Sequence, residues 1–293
     1  MPFVEPGLSR KAYAKINLAL EVIGKRPDGF HEVSMIMQSV SLHDTVTMKV
    51  RDDKITLVCD NTELPCDKTN LAYRAADLLQ QEYGIEKGVH IELTKRIPMA
   101  AGLAGGSTDA AAVLRGLNVL WGLALSPYEL ENLAAQLGSD VPFCLWGGTA
   151  LASGRGEILE SLPDFAGYGV VLANPPLQVS TAEVYGKYQQ QEKQSCSAIP
   201  AMRRAIAQKD FQMVTQLLFN DLECVSVAAH PQIAEIKEKL AIAGATGVLM
   251  SGSGPTVFAL TNDVASAGKL AGRAPLGAGV SVFVAETVAR EEK

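Results

Sequence analysis

The segment Pro98-Met99-Ala100-Ala101-Gly102-Leu103-Ala104-Gly105-Gly106-Ser107-Thr108-Asp109 is a run of small residues leading into an alanine-rich stretch. A loop without bulky side chains lets backbone N–H groups crowd around an anion. The N-terminus of a following helix adds unpaired donors and the positive end of its dipole. These residue types describe a phosphate cradle. The pattern is neither the G-x-x-x-x-G-K-[ST] of a Walker loop nor the G-x-G-x-x-G of a dinucleotide fold. Two charged residues elsewhere invite chemistry. Lys15 sits among Ala14, Ile16 and Leu18, so its ammonium needs a carboxylate or phosphate partner unless it snorkels from a strand edge. Asp140 lies between Gly138 and Pro142, where an aspartate either caps a turn or is held out by rigid flanking elements.

The elements that must position these residues follow from periodicity and punctuation. Ala12 to Val22 reads as a strand, with Lys15 and Asn17 on one face and Ile16 and Leu18 on the other. A turn at Lys25–Gly29 leads to a second extended stretch, Phe30 to Val50, with a bend expected at Ser41–Asp44. A strand at Val89–Thr94 delivers the chain to the small-residue loop, and Ser107 or Thr108 is expected to cap the helix behind it. Ser126-Pro127-Tyr128-Glu129 is a strong helix start, and that helix stops at Gly138. Asp140 then falls on the connection to a short apolar strand. From about Leu159 to Gly167 the composition turns to loop, which places a domain boundary at 162/163. Beyond it, Gln189–Ser197 reads as an exposed polar loop, and Ser251-Gly252-Ser253-Gly254-Pro255 is a second glycine-rich turn. The order of helices and strands in this half suggests an α+β sandwich.

Composition narrows the function. The chain has 293 residues, 47% hydrophobic, and a formal net charge of −6. That size favours two domains, and the charge disfavours nucleic acid as a general partner. No apolar run approaches the ~18 residues of a membrane span, and the N-terminus carries no signal-peptide core. A cytoplasmic protein, monomeric or homodimeric, is expected. Five scattered cysteines and four histidines form no zinc-ligand spacing.

Three separated blocks share a known pattern. Ala14-Lys15-Ile16-Asn17-Leu18, the loop from Pro98 to Ala111, and Gly244-Ala245-Thr246-Gly247 through Ser251-Gly252-Ser253-Gly254-Pro255-Thr256-Val257-Phe258 resemble the galactokinase/homoserine kinase/mevalonate kinase/phosphomevalonate kinase (GHMP) superfamily. Arg26-Pro27-Asp28-Gly29-Phe30-His31-Glu32 and Gly138-Ser139-Asp140-Val141-Pro142-Phe143 are similar to its members that act on a cytidylylated methylerythritol. The resemblance implies an α+β, two-domain architecture. An N-terminal mixed α/β domain (1–162) carries the phosphate loop, a C-terminal ferredoxin-like α/β sandwich (163–293) follows, and the active site lies in the cleft between them.

The resemblance also implies the activity: transfer of the γ-phosphoryl of ATP, with Mg2+, to the 2-hydroxyl of the cytidylylated alcohol in the non-mevalonate route to isoprenoid precursors. Asp140 is then the catalytic carboxylate and Lys15 the cation beside it. Pro98, Met99, Ala100, Ala101, Gly102, Leu103, Ala104, Gly105, Gly106, Ser107 and Thr108 hold the nucleotide phosphates. Ser107 and Thr108 hydroxyls serve as extra donors or a magnesium contact. Asn17, Phe30, His31, Thr181 and Tyr185 bind the substrate, with Phe30 and Tyr185 stacking on the base and His31 at its edge. Asn70, Lys95 and Arg96 are placed on the adenosine side, although Lys95 and Arg96 equally suit a solvated strand end. Relatives carry tyrosine at Phe30, glycine at Ala104 and serine at Thr108. Two other readings remain at this point: a sister kinase acting on mevalonate, homoserine or a sugar, and a ligand-sensing protein on the same scaffold.

Overall fold

The computed structural model describes residues 7–51, 54–188 and 197–291; the polar stretch expected as a loop lies outside these residues over 189–196. In chain order the elements are β1 (Gly7–Lys25), β2 (His31–Arg51), β3 (Ile55–Cys59), α1 (Leu71–Tyr83), β4 (Gly88–Thr94), α2 (Gly105–Leu120), α3 (Pro127–Leu137), α4 (Val141–Trp146), β5 (Thr149–Ser153) and β6 (Ile158–Ser161). They continue with β7 (Gly169–Asn174), α5 (Thr181–Lys187), α6 (Ile199–Ala207), α7 (Phe211–Gln216), β8 (Phe219–Asn220), α8 (Glu223–Ala229), α9 (Gln232–Ile242), β9 (Gly247–Met250), β10 (Val257–Thr261), α10 (Val264–Arg273) and β11 (Ser281–Glu286).

Among the described residues, two sheets organise these elements. The first runs β3-β4-β2-β1-β8, with β5 added to β2 and β6 to β5. Its spine is the long antiparallel β1–β2 ribbon, whose register shifts between Tyr13 and Lys15 and again between Asn17 and Ala19. Bulges of this kind re-aim side chains, and these two bracket Lys15 and Asn17. The expected bend at Ser41–Asp44 does not interrupt the strand. β2 continues through it as strand, and the irregularity takes the form of a bulge at the first of these register shifts. The second sheet has the order β11-β7-β10-β9, all antiparallel. Its strands follow a βαββαβ sequence with the fourth strand beside the first, which is the ferredoxin-like arrangement.

Period-2 alternation sorts the side chains into layers. On β7 and β10, Val170, Leu172, Phe258 and Leu260 face Ala14, Ile16, Leu18, Ile36 and Val40 of the first sheet. Their neighbours Val171, Ala173, Val257 and Ala259 face α9 and α10. The far side of the first sheet buries Val46, Met48, Ile91 and Leu93 against α1 to α4.

Two local expectations are corrected. Val141–Trp146 is a helix rather than a strand; a six-residue apolar run carries no period that separates the two, and Pro142 is accommodated in its first turn. Ile158–Ser161 is a strand rather than loop, pairing with β5.

Candidate active site

The small-residue loop connects β4 to α2, and the helix starts earlier than a serine or threonine cap requires. Its N-cap is Ala104, in a left-handed conformation with φ 59° and no side-chain cap bond. Ala100 is also left-handed, at φ 47°. The loop is pinned from outside. The backbone N–H of Lys15 donates to the Leu103 carbonyl (3.2 Å), and Ser251 Oγ donates to the Gly102 carbonyl (2.9 Å). Gly102 itself has φ +74°, and a Cβ there would stand 2.1 Å from the Ser251 carbonyl oxygen. The two glycine-rich segments are therefore in direct contact.

Pro98 to Gly102 and Ala104 to Ser107 line one cavity. Two expected nucleotide residues do not. Leu103 is a core side chain, and the Thr108 hydroxyl donates to the Tyr13 carbonyl (2.7 Å), turned inward by its place in the first turn of α2. That orientation fastens α2 to β1 and turns the hydroxyl away from the cavity wall.

Lys15 and Asn17 project from the cavity face of β1, as alternation requires. Lys15 Nζ donates to Asn17 Oδ1 (2.8 Å) and lies 3.7 Å from Asp140 Oδ2. The lysine side chain is 5% exposed and the aspartate 32%, so the ammonium is buried and partnered while the carboxylate reaches the cavity. Asp140 occupies the N-cap position of α4 but makes no capping bond. Its carboxylate is thus not consumed by the turn. Beneath the pair, Cys144 is pushed far up, chiefly by burial and then by the charge of Asp140.

Lys95 departs from both expectations for it. Its ammonium is shut between the carboxylates of Asp44 on β2 and Asp109 in the first turn of α2. Asp44 Oδ1 also accepts the backbone N–H groups of Arg96 and Ile97. Asp109 is pushed up to about 7: burial raises it most, Lys95 lowers it, and Asp44 raises it again. One lysine thereby ties the entry of the phosphate loop to its exit. Arg96 is exposed and lies off the cavity. Asn70 lines the cavity but spends its amide on capping α1 through Ala72 N–H and on the Pro65 carbonyl.

At the other end, Phe30, His31, Thr181 and Tyr185 line the same cavity. The rings of His31 and Tyr185 pack with centroids 5.2 Å apart, and Thr181 Oγ1 lies 2.9 Å from Ser253 Oγ. His31 is lowered below its ordinary value by burial, and further by Lys25; Tyr185 is raised by burial and then by Asp140. Phe30 is 52% exposed, and Arg155 sits over its ring with Cζ 4.9 Å from the centroid. Arg155 is a cavity residue that sequence reasoning missed. Its only signal is an arginine between two glycines in Gly154-Arg155-Gly156.

The cavity encloses about 890 Å3, within the usual span for small-ligand sites. It holds a cradle of small residues, a buried cation against an accessible carboxylate, and an aromatic end. That set fits the transfer of a phosphoryl group to an alcohol.

The comparisons with known proteins agree. Residues 70–148 match the model of the GHMP kinases N terminal domain, and residues 202–275 that of the GHMP kinases C terminal domain. The chain belongs to the GHMP kinase family. A relative from Brevibacillus brevis (strain 47 / JCM 6285 / NBRC 100599) is 52% identical over 254 residues, spanning 86% of this chain and 87% of its own. One from Gloeobacter violaceus (strain ATCC 29082 / PCC 7421) is 48% identical over 282 residues, spanning 94% and 93%. Both are named 4-diphosphocytidyl-2-C-methyl-D-erythritol kinase, and within the GHMP kinases this is the chain's own branch. A crystal structure of 4-(cytidine 5'-diphospho)-2C-methyl-D-erythritol kinase superposes with a TM-score of 0.82 at 34% identity, covering 96% of this chain and 99% of that one. A homoserine kinase from Cytophaga hutchinsonii ATCC 33406 shares the fold, with a TM-score of 0.80 at 21% identity over 100% of this chain and 98% of its own.

Proposed function

We propose that this chain transfers the γ-phosphoryl group of ATP to the 2-hydroxyl of 4-diphosphocytidyl-2-C-methyl-D-erythritol, a step of the non-mevalonate isoprenoid route. The observation that carries the reading is the Lys15–Asp140 pair, 3.7 Å apart, in the cavity that the phosphate loop also lines. The hydroxyl oxygen attacks the γ-phosphorus, the bond to the β–γ bridging oxygen breaks, and ADP leaves. Asp140 orients the hydroxyl and takes its proton. A carboxylate is a weak base toward an alcohol, so transfer of that proton is late and alignment supplies much of the rate. Lys15 steadies the carboxylate and the charge that develops beside it. The backbone of the loop from Pro98 to Ser107 cradles the polyphosphate.

Magnesium fits this donor set as an ion carried by ATP. Among the described residues no cluster of three or more His, Cys, Asp or Glu could hold a metal, whereas Mg2+ usually keeps its waters and takes phosphate oxygens with few protein ligands. The Ser107 hydroxyl, at the cavity wall, would be the protein ligand for it. When bound, the ion neutralises phosphate charge; orientation and proton removal belong to Asp140, Lys15 and Asn17.

Among the described residues no helix is long and apolar enough to cross a membrane. The reading is completed as a cytoplasmic enzyme, monomeric or homodimeric. Its two domains divide at 162/163. Incubation with magnesium-ATP and, separately, the cytidylylated alcohol, mevalonate and homoserine tests the assignment. Product is expected from the first alone; its absence there overturns the reading.

A further inference from the structure

The site has a cradle for the phosphates of ATP, and the cytidylylated alcohol brings two more of its own. This holds on the reading above, in which the substrate is a cytidine diphosphate ester. Among the described residues that line the cavity, the permanent cations are Lys15, Lys25, Lys95 and Arg155. Lys15 is engaged by Asn17 and Asp140, and Lys95 is enclosed by Asp44 and Asp109. Lys25 is exposed at the end of β1. Arg155 meets its carboxylate, Glu157, only through Nε and lies over Phe30.

It stands on the turn between β5 and β6, flanked by Gly154 (φ +70°) and Gly156 (φ +115°). One flank of this turn reaches the aromatic end, because the guanidinium covers Phe30. The other flank reaches the reacting end. A Cβ on Gly156 would stand 3.8 Å from Cβ of Ser139, the residue before Asp140. A cytidine diphosphate ester with its base at Phe30–His31 and its hydroxyl at Asp140 must lay its two phosphates between these ends. We propose that Arg155 binds the diphosphate of the cytidylylated substrate and so sets its specificity for a nucleotide-linked alcohol.

The local framework suits that task. Gly154 N–H donates to Glu32 Oε1 (3.1 Å), and Glu32 pairs with Arg26 (2.6 Å), which fastens the Arg155 turn to the turn that carries Phe30. Glu157 accepts the Arg155 backbone N–H (2.6 Å) and approaches Nε at 3.4 Å. Among the described residues the guanidinium's one charged contact is Nε to Glu157, and the fork of its terminal nitrogens matches phosphate oxygens in a way that an ammonium does not.

Calorimetric titration with cytidine, CMP and CDP, with the ATP site filled by ADP, tests the assignment. In the unaltered protein CDP should bind at least ~10-fold more tightly than cytidine, the scale of a charge-assisted pair of bonds. Arg155→Met should weaken CDP by about that factor and leave cytidine within about twofold, and Arg155→Lys should restore part of the difference by charge without the fork. Equal losses for cytidine and CDP in Arg155→Met would overturn the proposal, since the arginine would then serve the base or merely cover Phe30. A protein that does not prefer CDP to cytidine overturns it as well. Binding of none of the three would instead bring down the cytidylylated-substrate reading beneath it.

Discussion

Asp140 and Lys95, both charged and both at the cavity, make different demands on an experiment. Asp140→Asn keeps the volume and removes the proposed proton acceptor, so turnover should fall by about 10²–10⁴-fold, the range for a lost general base, while ATP affinity is retained. Near-normal turnover would remove Asp140 from that role. Lys95 has a structural signature instead. Its ammonium separates two buried carboxylates, so Lys95→Met should cost about 3–5 kcal/mol of stability, the penalty for leaving buried charge unpaired. Urea denaturation would register this as a lower midpoint at an unchanged slope. His31 is held below its ordinary value by burial and by Lys25, so its ring is neutral at neutral pH and above, able to offer one donor and one acceptor to a base edge. The KM for the cytidylylated substrate should therefore be flat above about pH 7 and rise only as the pH falls through the lowered His31 value. A KM that rises with pH would contradict the neutral-ring role.

At the scale of elements, the phosphate loop is the part most exposed to single changes. Ala104 caps α2 at φ 59°, where an L-residue pays roughly 1–2 kcal/mol. Ala104→Gly removes that cost but frees the unfolded chain by ~0.4–1 kcal/mol, so stability should change little or rise slightly. Ala104→Val should lower Tm clearly, because a β-branched residue resists the left-handed region. Gly102→Ala is the severe case. Its Cβ would sit 2.1 Å from the Ser251 carbonyl oxygen, forcing the two glycine turns apart, and the KM for ATP should rise about 10-fold or more if the loop is displaced by even ~1 Å. The small-residue loop running into a helix was readable in the sequence because its residue types leave few other local structures, and the Lys15–Asn17 face because strand alternation is a strict rule. Three features were not readable. The Asp44–Lys95–Asp109 cluster joins residues 51 and 14 positions apart, which no local pattern encodes. The helix phase, set by Ala104, turns the Thr108 hydroxyl toward Tyr13, a direction that no local pattern encodes. The run Val141–Trp146 is too short to declare a period, so the helix that positions Asp140 is decided by packing against α2 and α3.

The whole molecule decides whether the N-terminal half could act alone, and its layering argues against this. β1 and β2 present Ala14, Ile16, Leu18, Ile36 and Val40 to a layer made by Val170, Leu172, Phe258 and Leu260 of the second sheet. The chain also returns to its start in several places: β8 adds to β1 at Ala19 and Leu20, Val40 bridges Thr287, and the Val288 N–H donates to the Ser39 carbonyl (3.0 Å). Ser251 reaches across to Gly102 in the phosphate loop itself. Cutting at 162 would expose a continuous apolar face and an unpaired edge of β1, conditions that favour aggregation over a stable half. Fragment 1–162 should therefore be insoluble, or soluble without cooperative unfolding. The intact chain should unfold in one transition, with tryptophan fluorescence from Trp121 and Trp146 in the first layer coinciding with circular dichroism of the whole. Two separated transitions, or a fragment 1–162 that melts cooperatively and binds ATP, would show that the shared layer is an ordinary interdomain contact rather than a common core.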